Sequence, residues 1–478
     1  MQGIQRLKQP KFVTIDLNRF IPKTHKLRRI HQSIDLSFLR EMTRDLYSKK
    51  DGRPSIDPVL FFRMMILKHL YGISSDRQLC DEIHVNLAYR WFCRLSLEDR
   101  VPDHSSISRT RDRFGEDIFM KVFENVVGQC RKAGLVKGKQ MVTDATLIEA
   151  NASNSAVVKK SELGKIAAMA ASEPAKAAEP TANQVGQRRE KFSPKTHVNK
   201  TDPESSMVSR HGYKKRFYYK GHFTIDGAKK VITDCHVTTG SQHECKVFEE
   251  RAEHVMKRFE IKPSEWLADR GYGHGPAYRY LNGKKITSFI SLRDNKLGRG
   301  KHSPGDGFEY IRDKNIYVCS KGHAMHPHKQ ANGFTRYRIT GGQCVTCPLR
   351  VKCLGADKQV NKRIQRADYQ DEYDEVHSRR SSVEFRAKRH ERAWKIEGVF
   401  GEGKTRHGLS RANYRGRWKV QTQVYLIAIV HNVKRLEKAM VLSVADVISL
   451  CSSIAVLESP ILGGQNLVHE QSNIPMVA

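Results

Sequence analysis

The chain has 478 residues, 39 % of them hydrophobic, and carries 84 Lys and Arg against 51 Asp and Glu, a formal charge of +33. That length supports two or three structural units with sizeable cores. The charge excess opposes compaction and favours a polyanion, nucleic acid before anionic membrane, because neutralised phosphates release counterions.

Residues 1–11 are polar and basic with no apolar core, so no signal peptide is expected and the setting is taken as reducing and cytoplasmic. Residues 1–136 are predicted to form an all-helical DNA-binding domain. In "DPVLFFRMMILKHLYG", Asp57 and Pro58 start a helix and Gly72 ends it. In "PDHSSISRTRDRFG", Asp103 caps a short helix carrying Arg109, Arg111 and Arg113, candidate DNA ligands. "EDIFMKVFENVVGQCRKAGL" closes the unit, for which the plainer reading is a packing or dimerisation module.

Residues 137–294 read as a mixed α/β sheet, interrupted at about 151–205 by a polar, Ala-rich, Pro-broken insert expected to be flexible. Asp144 lies in the first strand, between β-branched and apolar residues. Two strand-like runs flank Asp226-Gly227, a hairpin signal. "HECKVFEERAEHVMKRFE" follows as a helix, then "SEWLADRGYGHG" as a strand that ends at Asp269, then "ITSFISLR". Asp269 and the glycines behind it also fit an ordinary strand-ending turn.

Residues 295–382 form a basic insertion containing Cys319, Cys344, Cys347 and Cys353. The C-x-x-C pair suits a zinc knuckle, with Cys319 as fourth ligand or His323 replacing one; reduced, partly buried thiols are the alternative. Helix character returns in residues 383–440, and 441–478 is a tail. Its apolar stretch, 440–457, is broken by Asp446 and serines and reads as a core helix rather than a membrane span.

Asp144 and Asp269, with Glu397 on the late helix, stand out by position, although Glu149, Asp226, Asp234 and Glu265 are acids of similar setting. A carboxylate among apolar strand residues needs a cation, and a divalent metal supplies one. Two metals held by carboxylates can drive phosphodiester cleavage. Glu397 and Lys404 are seven apart and share a helix face, so one suits a metal and the other a phosphate. Arg406, Arg411 and Arg415 extend that phosphate-binding stretch.

Four segments in order, "PDHSSISRTRDRFG", "VTDATLIEANAS", "WLADRGYG" and "IEGVFGEGKTRHGLSRANYRG", resemble the DDE transposases of bacterial insertion sequences. The resemblance spans about residues 20–440. It implies a ribonuclease H-like core with Asp144, Asp269 and Glu397 as the catalytic, metal-binding triad for Mg2+ or Mn2+. It also implies double-stranded DNA partners (terminal inverted repeats and target), a homodimer in a synaptic complex, and a nucleoid-associated bacterial setting. Related transposases often carry a cysteine run in the same insertion. The chain departs from many relatives at Ala393, where they place an arginine four residues before the Glu. The role of that arginine, and any hairpin-forming route, are therefore unassigned. An inactive DNA-binding descendant and a simple metal-dependent nuclease are the competing functions.

Overall fold

The structure, a computed structural model, describes residues 14–48, 55–162, 196–209, 212, 214–293, 307–354 and 360–457, with side chains through 441. Most of the flexible insert expected at 151–205, and the end of the tail beyond 457, lie outside the described residues. The two described ends of the insert pair as antiparallel strands, Val157–Lys159 with His197–Asn199.

The N-terminal part is helical, as expected. Helix α1 (Pro58–Leu70) starts where Asp57 accepts hydrogen bonds from the amides of Val59 and Leu60, with Pro58 in its first turn. Helix α2 spans Asp76–Val85 and α3 spans His104–Lys132. The two helices expected around residue 115 run together as α3, broken only at Gly115, whose φ of +59° is non-helical.

The central six-stranded sheet comprises β1 (Gln140–Glu149), β2 (Ser206–Val208), β3 (Arg216–Asp226), β4 (Ile232–Thr239), β5 (Glu265–Ala268) and β6 (Thr287–Ile290). Strand β3 is antiparallel to β1, and its other edge takes β4 and, at its start, the short β2. On the far side of β1, β5 and then β6 run parallel to it. The path is therefore β4–β3–β1–β5–β6. Helices α4 (Phe248–Phe259) and α5 (Gly275–Gly283) make the connections that the parallel strands require.

The basic insertion is not irregular. Five strands, β7 (Phe308–Ile311), β8 (Ile316–Cys319), β9 (Ala324–Ala331), β10 (Phe334–Arg338) and β11 (Arg363–Ala367), form a second antiparallel sheet in sequential order. It has its own small core of Tyr317, Met325, Tyr337, Ile339, Cys344 and Ile364. Most of its strand Lys, Arg and His residues, among them His326, His328, Lys329, Arg336, Arg338 and Arg363, are exposed, which hides the strand alternation behind a polar composition. Helix α6 (Gln370–Arg379) returns the chain to α7 (Val383–Arg406) and the long α8 (Arg417–Leu457).

The described helices of the N-terminal part and the sheet share one hydrophobic core. Helix α8 joins them. Every residue from Val420 to Val433 is buried, and Phe123 of α3 stacks on Tyr425 at 5.6 Å. The polar residues of α8 serve the edge of β4. Gln421 accepts from the Val237 amide (2.6 Å) and donates to the Cys235 carbonyl (3.0 Å), while Asn432 makes the same pair of bonds to Ile232. Two side-chain amides thus satisfy edge groups that would otherwise be buried unpaired. Among the described residues no helix is long and apolar enough to cross a membrane.

A second tie is ionic. Asp76 on α2 receives Lys68 (2.6 Å) and Arg111 (2.7 Å), and both cations lie over the ring of Tyr414 from the segment after α7. Burial pushes the Asp76 carboxyl up, but Lys68 and Arg111 together hold it below its usual value. Arg111 is 2 % exposed and belongs to this cluster, which corrects its expected role as a DNA ligand. Arg111→Ala is expected to cost about 3–5 kcal/mol, the usual cost of leaving a buried charge without its partner. Arg109→Ala, on the exposed side of α3, should stay within about 0.5 kcal/mol of the parent. Urea denaturation of the full chain measures both, and equal stabilities would refute this assignment of Arg111.

Candidate active site

The sheet register creates the site. In the parallel pairing of β1 and β5, Thr143 is opposite Ala268, so the next residues lie side by side: Asp144, midway along β1, and Asp269, just past the end of β5. Alternation sends Thr143 to the opposite face, where its hydroxyl accepts a hydrogen bond from the Trp266 indole at 2.9 Å. The Asp144 face is covered by α7, which crosses the sheet. Phe385 packs on Phe289 of β6, Lys388 pairs with Glu265 of β5, Lys395 reaches Gln140 of β1, and Phe400 packs on Phe223 of β3. Phe223 is the β3 partner of Asp144.

Between these contacts α7 delivers Arg392. Its guanidinium donates to Asp144 Oδ2 at 2.5 Å and stands 3.9 Å from Asp269 Oδ1. Asp144 also accepts from the Ala145 amide at 2.7 Å. Burial pushes its carboxyl up to about 6, with the nearby Asp269 adding to the rise and Arg392 opposing it. Asp269 is more open, with 42 % of its side chain exposed. Sequence reasoning left Arg392 unassigned because it is five residues before Glu397 instead of four; only the packing angle of α7 places it over the acids.

The turn after Asp269 has a different basis from the one expected. Neither Gly271 nor Gly273 adopts a left-handed φ. They are glycines because neighbours fill the space of a side chain. A Cβ on Gly271 would lie 2.6 Å from the Glu244 carboxylate, and one on Gly273 would lie 2.1 Å from the Ser291 carbonyl oxygen. Tyr272, between them, is fully buried, with its ring against Phe248 and its hydroxyl 3.4 Å from His222 Nδ1. These contacts hold the end of β5, and with it Asp269.

Glu397 lies on α7 and is exposed. The other acids of this part of the helix are taken: Glu391 by Lys388 and Lys395, and Glu402 by His407, His431, Lys434 and Arg435. Glu397 has no ion pair among the described residues. The structure brings Asp144 and Asp269 together through Arg392; Glu397 shares their helix cover but touches neither. Lys404 lies two turns further along α7.

The basic candidates divide by place. Arg109 and Arg113 line an open groove with Arg100, Ser105 and Ser106, although Asp57 and Asp103 also border it. Arg113 also lies over Tyr47 and donates to Ser55. Arg406 is exposed beyond Lys404. Arg411 pairs by its backbone with Glu149 at the end of β1 and lines a small pocket with Arg216. Arg415 is exposed and donates to the Asn151 carbonyl at 3.1 Å.

In the insertion, Cys319 ends β8 while Cys344, Cys347 and Cys353 lie in the connection from β10 to β11. All four line one cavity with His323 and Lys362. Burial raises the Cys353 thiol, and the other three cysteines raise it further. All four are free thiols. Among the described residues, no three His, Cys, Asp or Glu side chains are grouped closely enough to hold one ion as they stand.

Comparison with known families gives two matches. Residues 15–113 match the model described as a transposase domain (DUF772), and residues 318–437 match the transposase DDE domain. The second match takes in the cysteine run, Glu397 and Lys404, and begins after Asp269. Among solved structures, the chain is similar to that of the piggyBac transposase synaptic complex with hairpin DNA. The identity is 12 % and the TM-score 0.31, over 91 % of this chain and 80 % of that one. It is also similar to a pre-cleavage Mos1 transpososome, at 10 % identity and a TM-score of 0.16, over 51 % of this chain and 61 % of that one. Likenesses this distant carry no argument about fold or partner.

The raised Asp144 carboxyl has a consequence for stability. An unfolded aspartate titrates near ~3.9, so between about 4 and 6 the folded chain binds this proton more tightly than the unfolded one. Stability is therefore lost as pH rises through that window, and the full deficit applies above it. Asp144→Asn, measured in EDTA, should melt a few degrees higher than the parent at pH 8, with the gap closing below pH 4. A gap independent of pH in differential scanning fluorimetry would contradict the burial of this carboxylate.

Proposed function

Because this chain is a DDE transposase of the insertion-sequence type, with a DUF772 transposase domain and a transposase DDE domain, we propose that it binds the terminal inverted repeats of its element, cuts the element ends and transfers the 3′ ends to target DNA. The observation that carries this reading is the in-register pair of acids, Asp144 midway along β1 and Asp269 just past the end of the parallel β5, beneath the helix of Glu397. The strand path β4–β3–β1–β5–β6, antiparallel on one side of β1 and parallel on the other, supports a ribonuclease H-like core.

The donor set suits a hard divalent cation, Mg2+ or Mn2+. Asp144 and Asp269 present carboxylate oxygens side by side where burial makes an unpaired charge costly, and a cation already lies against them. Glu397 would complete the set from α7. A divalent cation bound there would supply the positive charge that activates the attacking oxygen and neutralises the leaving one. Around it the chain's own residues orient DNA. Lys404, two turns from Glu397, holds the scissile phosphate, and Arg406, Arg411 and Arg415 continue the backbone track. The groove of Arg100, Arg109 and Arg113 takes the duplex next to the cut, and the net charge of +33 strengthens all of these contacts at low salt. Two copies in a synaptic complex would hold the two ends of one element.

We further assign the four thiols of the insertion to a structural zinc site. Their convergence on one cavity from two separate parts of the insertion sheet supports this, as does the soft donor set. Zinc binding would draw the four sulfurs in and staple the β10–β11 connection to the end of β8.

In magnesium, with a duplex carrying the element's own end, Asp144→Ala, Asp269→Ala and Glu397→Ala should each reduce cleavage by at least on the order of 10²-fold. End binding, driven by phosphate contacts, should remain. Near-parental cleavage by any one of them, on a sequencing gel, would remove that residue from the site.

Elemental analysis of native protein should find about one zinc per chain. Cys344→Ser or Cys347→Ser should release it and make the insertion sensitive to protease. Protein purified without chelator and free of zinc would leave the four cysteines as plain thiols.

A further inference from the structure

We infer that Arg392 is the internal counter-cation of the catalytic acids: it holds Asp144 and Asp269 together in the metal-free enzyme, competes with the divalent cation, and is released to a DNA phosphate when an element end arrives. The inference rests on the metal-binding reading of these two acids given above.

Two carboxylates side by side on adjacent strands, Asp144 within β1 and Asp269 just past β5, repel each other, and the deeper one is costly to charge without a partner. Arg392 answers both problems at once, with one nitrogen 2.5 Å from Asp144 and the other 3.9 Å from Asp269. Its side chain is only 17 % exposed and that of Asp144 20 %, so the contact between these two is partly shielded from solvent. Two neighbouring cations of α7, Lys388 and Lys395, are occupied elsewhere. Lys388 is on Glu265 and Glu391, while Lys395 is on Glu391 and Gln140. Among the described residues, Arg392 is the cation that faces the acid pair from the elements packed around it.

Geometry makes the two kinds of cation rivals. A divalent ion takes the same carboxylate oxygens that Arg392 now engages, so it binds only as fast and as tightly as the guanidinium gives way. Arg392 shares α7 with Glu397 and Lys404, so the side chain that leaves the acids is already beside the proposed phosphate track. A guanidinium binds phosphate as well as it binds carboxylate, with two parallel donors. DNA therefore offers Arg392 a second partner, and DNA and metal favour each other's binding. A free chain holds metal weakly and is restrained from cutting before an end is bound.

The test is Mn2+ binding to the full chain without DNA, measured by the loss of free Mn2+ signal in electron paramagnetic resonance. It compares the parent, Arg392→Gln, Asp144→Asn and the double variant, with circular dichroism confirming that each is folded. Losing a charge-assisted pair of this kind corresponds to roughly ten- to a hundredfold in affinity. Arg392→Gln should therefore bind Mn2+ at least about tenfold more tightly than the parent, and the double variant should lose that gain. A purely structural role for Arg392 would leave the affinity unchanged or weaken it. Equal or weaker binding by Arg392→Gln, with parental binding still abolished by Asp144→Asn, overturns the counter-cation role and leaves the acid site standing. Binding that ignores Asp144→Asn in both backgrounds overturns the metal site itself, and the inference with it. A melting temperature of Arg392→Gln in EDTA equal to the parent's would likewise count against Arg392 as the clasp of the acids.

Discussion

Two like charges held side by side, one midway along β1 and one just past the end of β5, set the terms for this molecule. The register that puts Thr143 opposite Ala268 leaves Asp144 and Asp269 no way to separate. Neither backbone can shift by one residue without moving buried side chains such as Met141, Val142, Trp266 and Leu267 to the opposite covered face of the sheet. The repulsion has to be met by a cation, and α7 brings one in as Arg392. The angle at which α7 crosses the sheet, from Phe289 on β6 to Phe223 on β3, decides where that cation lands and which side of the helix Glu397 occupies. The deeper of the two carboxylates is a burden on the folded state, because burial raises the cost of its charge.

Much of the remaining architecture keeps α7 and the sheet in that relation. Helix α8 is buried along its middle and fastens the edge of β4 with Gln421 and Asn432, while its other side packs on α3 through Tyr425. The chain between α7 and α8 carries Tyr414 back to the Lys68–Asp76–Arg111 cluster. Gly72, just past α1, is pressed so closely on the Arg406 carbonyl that a Cβ there would stand 2.9 Å from it. The N-terminal helices are thus part of the frame that holds the end of α7. The insertion is different in kind. It has its own sheet and core and reaches the rest through α6, where Tyr373 packs on Tyr278 of α5.

The sequence by itself determined the element types wherever local chemistry was decisive. Asp57-Pro58 and Asp103 were legible as helix caps, the runs around Asp144 and before Asp269 as strands, and Glu397 with Lys404 as one helical face. The family and the enzyme class were legible as well, from motif order. Tertiary structure alone decided what each charged side chain does. Arg109, Arg111 and Arg113 look alike in the sequence, yet Arg111 points inward to Asp76 and the other two line a groove, because a helix face is chosen by what packs on it. Arg392 stands one residue out of register with the expected arginine, which leaves it without a role in the sequence alone, since its meeting with Asp144 joins residues 248 apart in the chain through the crossing angle of a helix. The glycines after Asp269 looked like turn residues and proved to be points of close approach, a property of neighbours distant in sequence. The strands of the insertion were hidden because a small sheet with one thin core leaves most of its positions polar, and the alternation on which strand recognition depends is then lost.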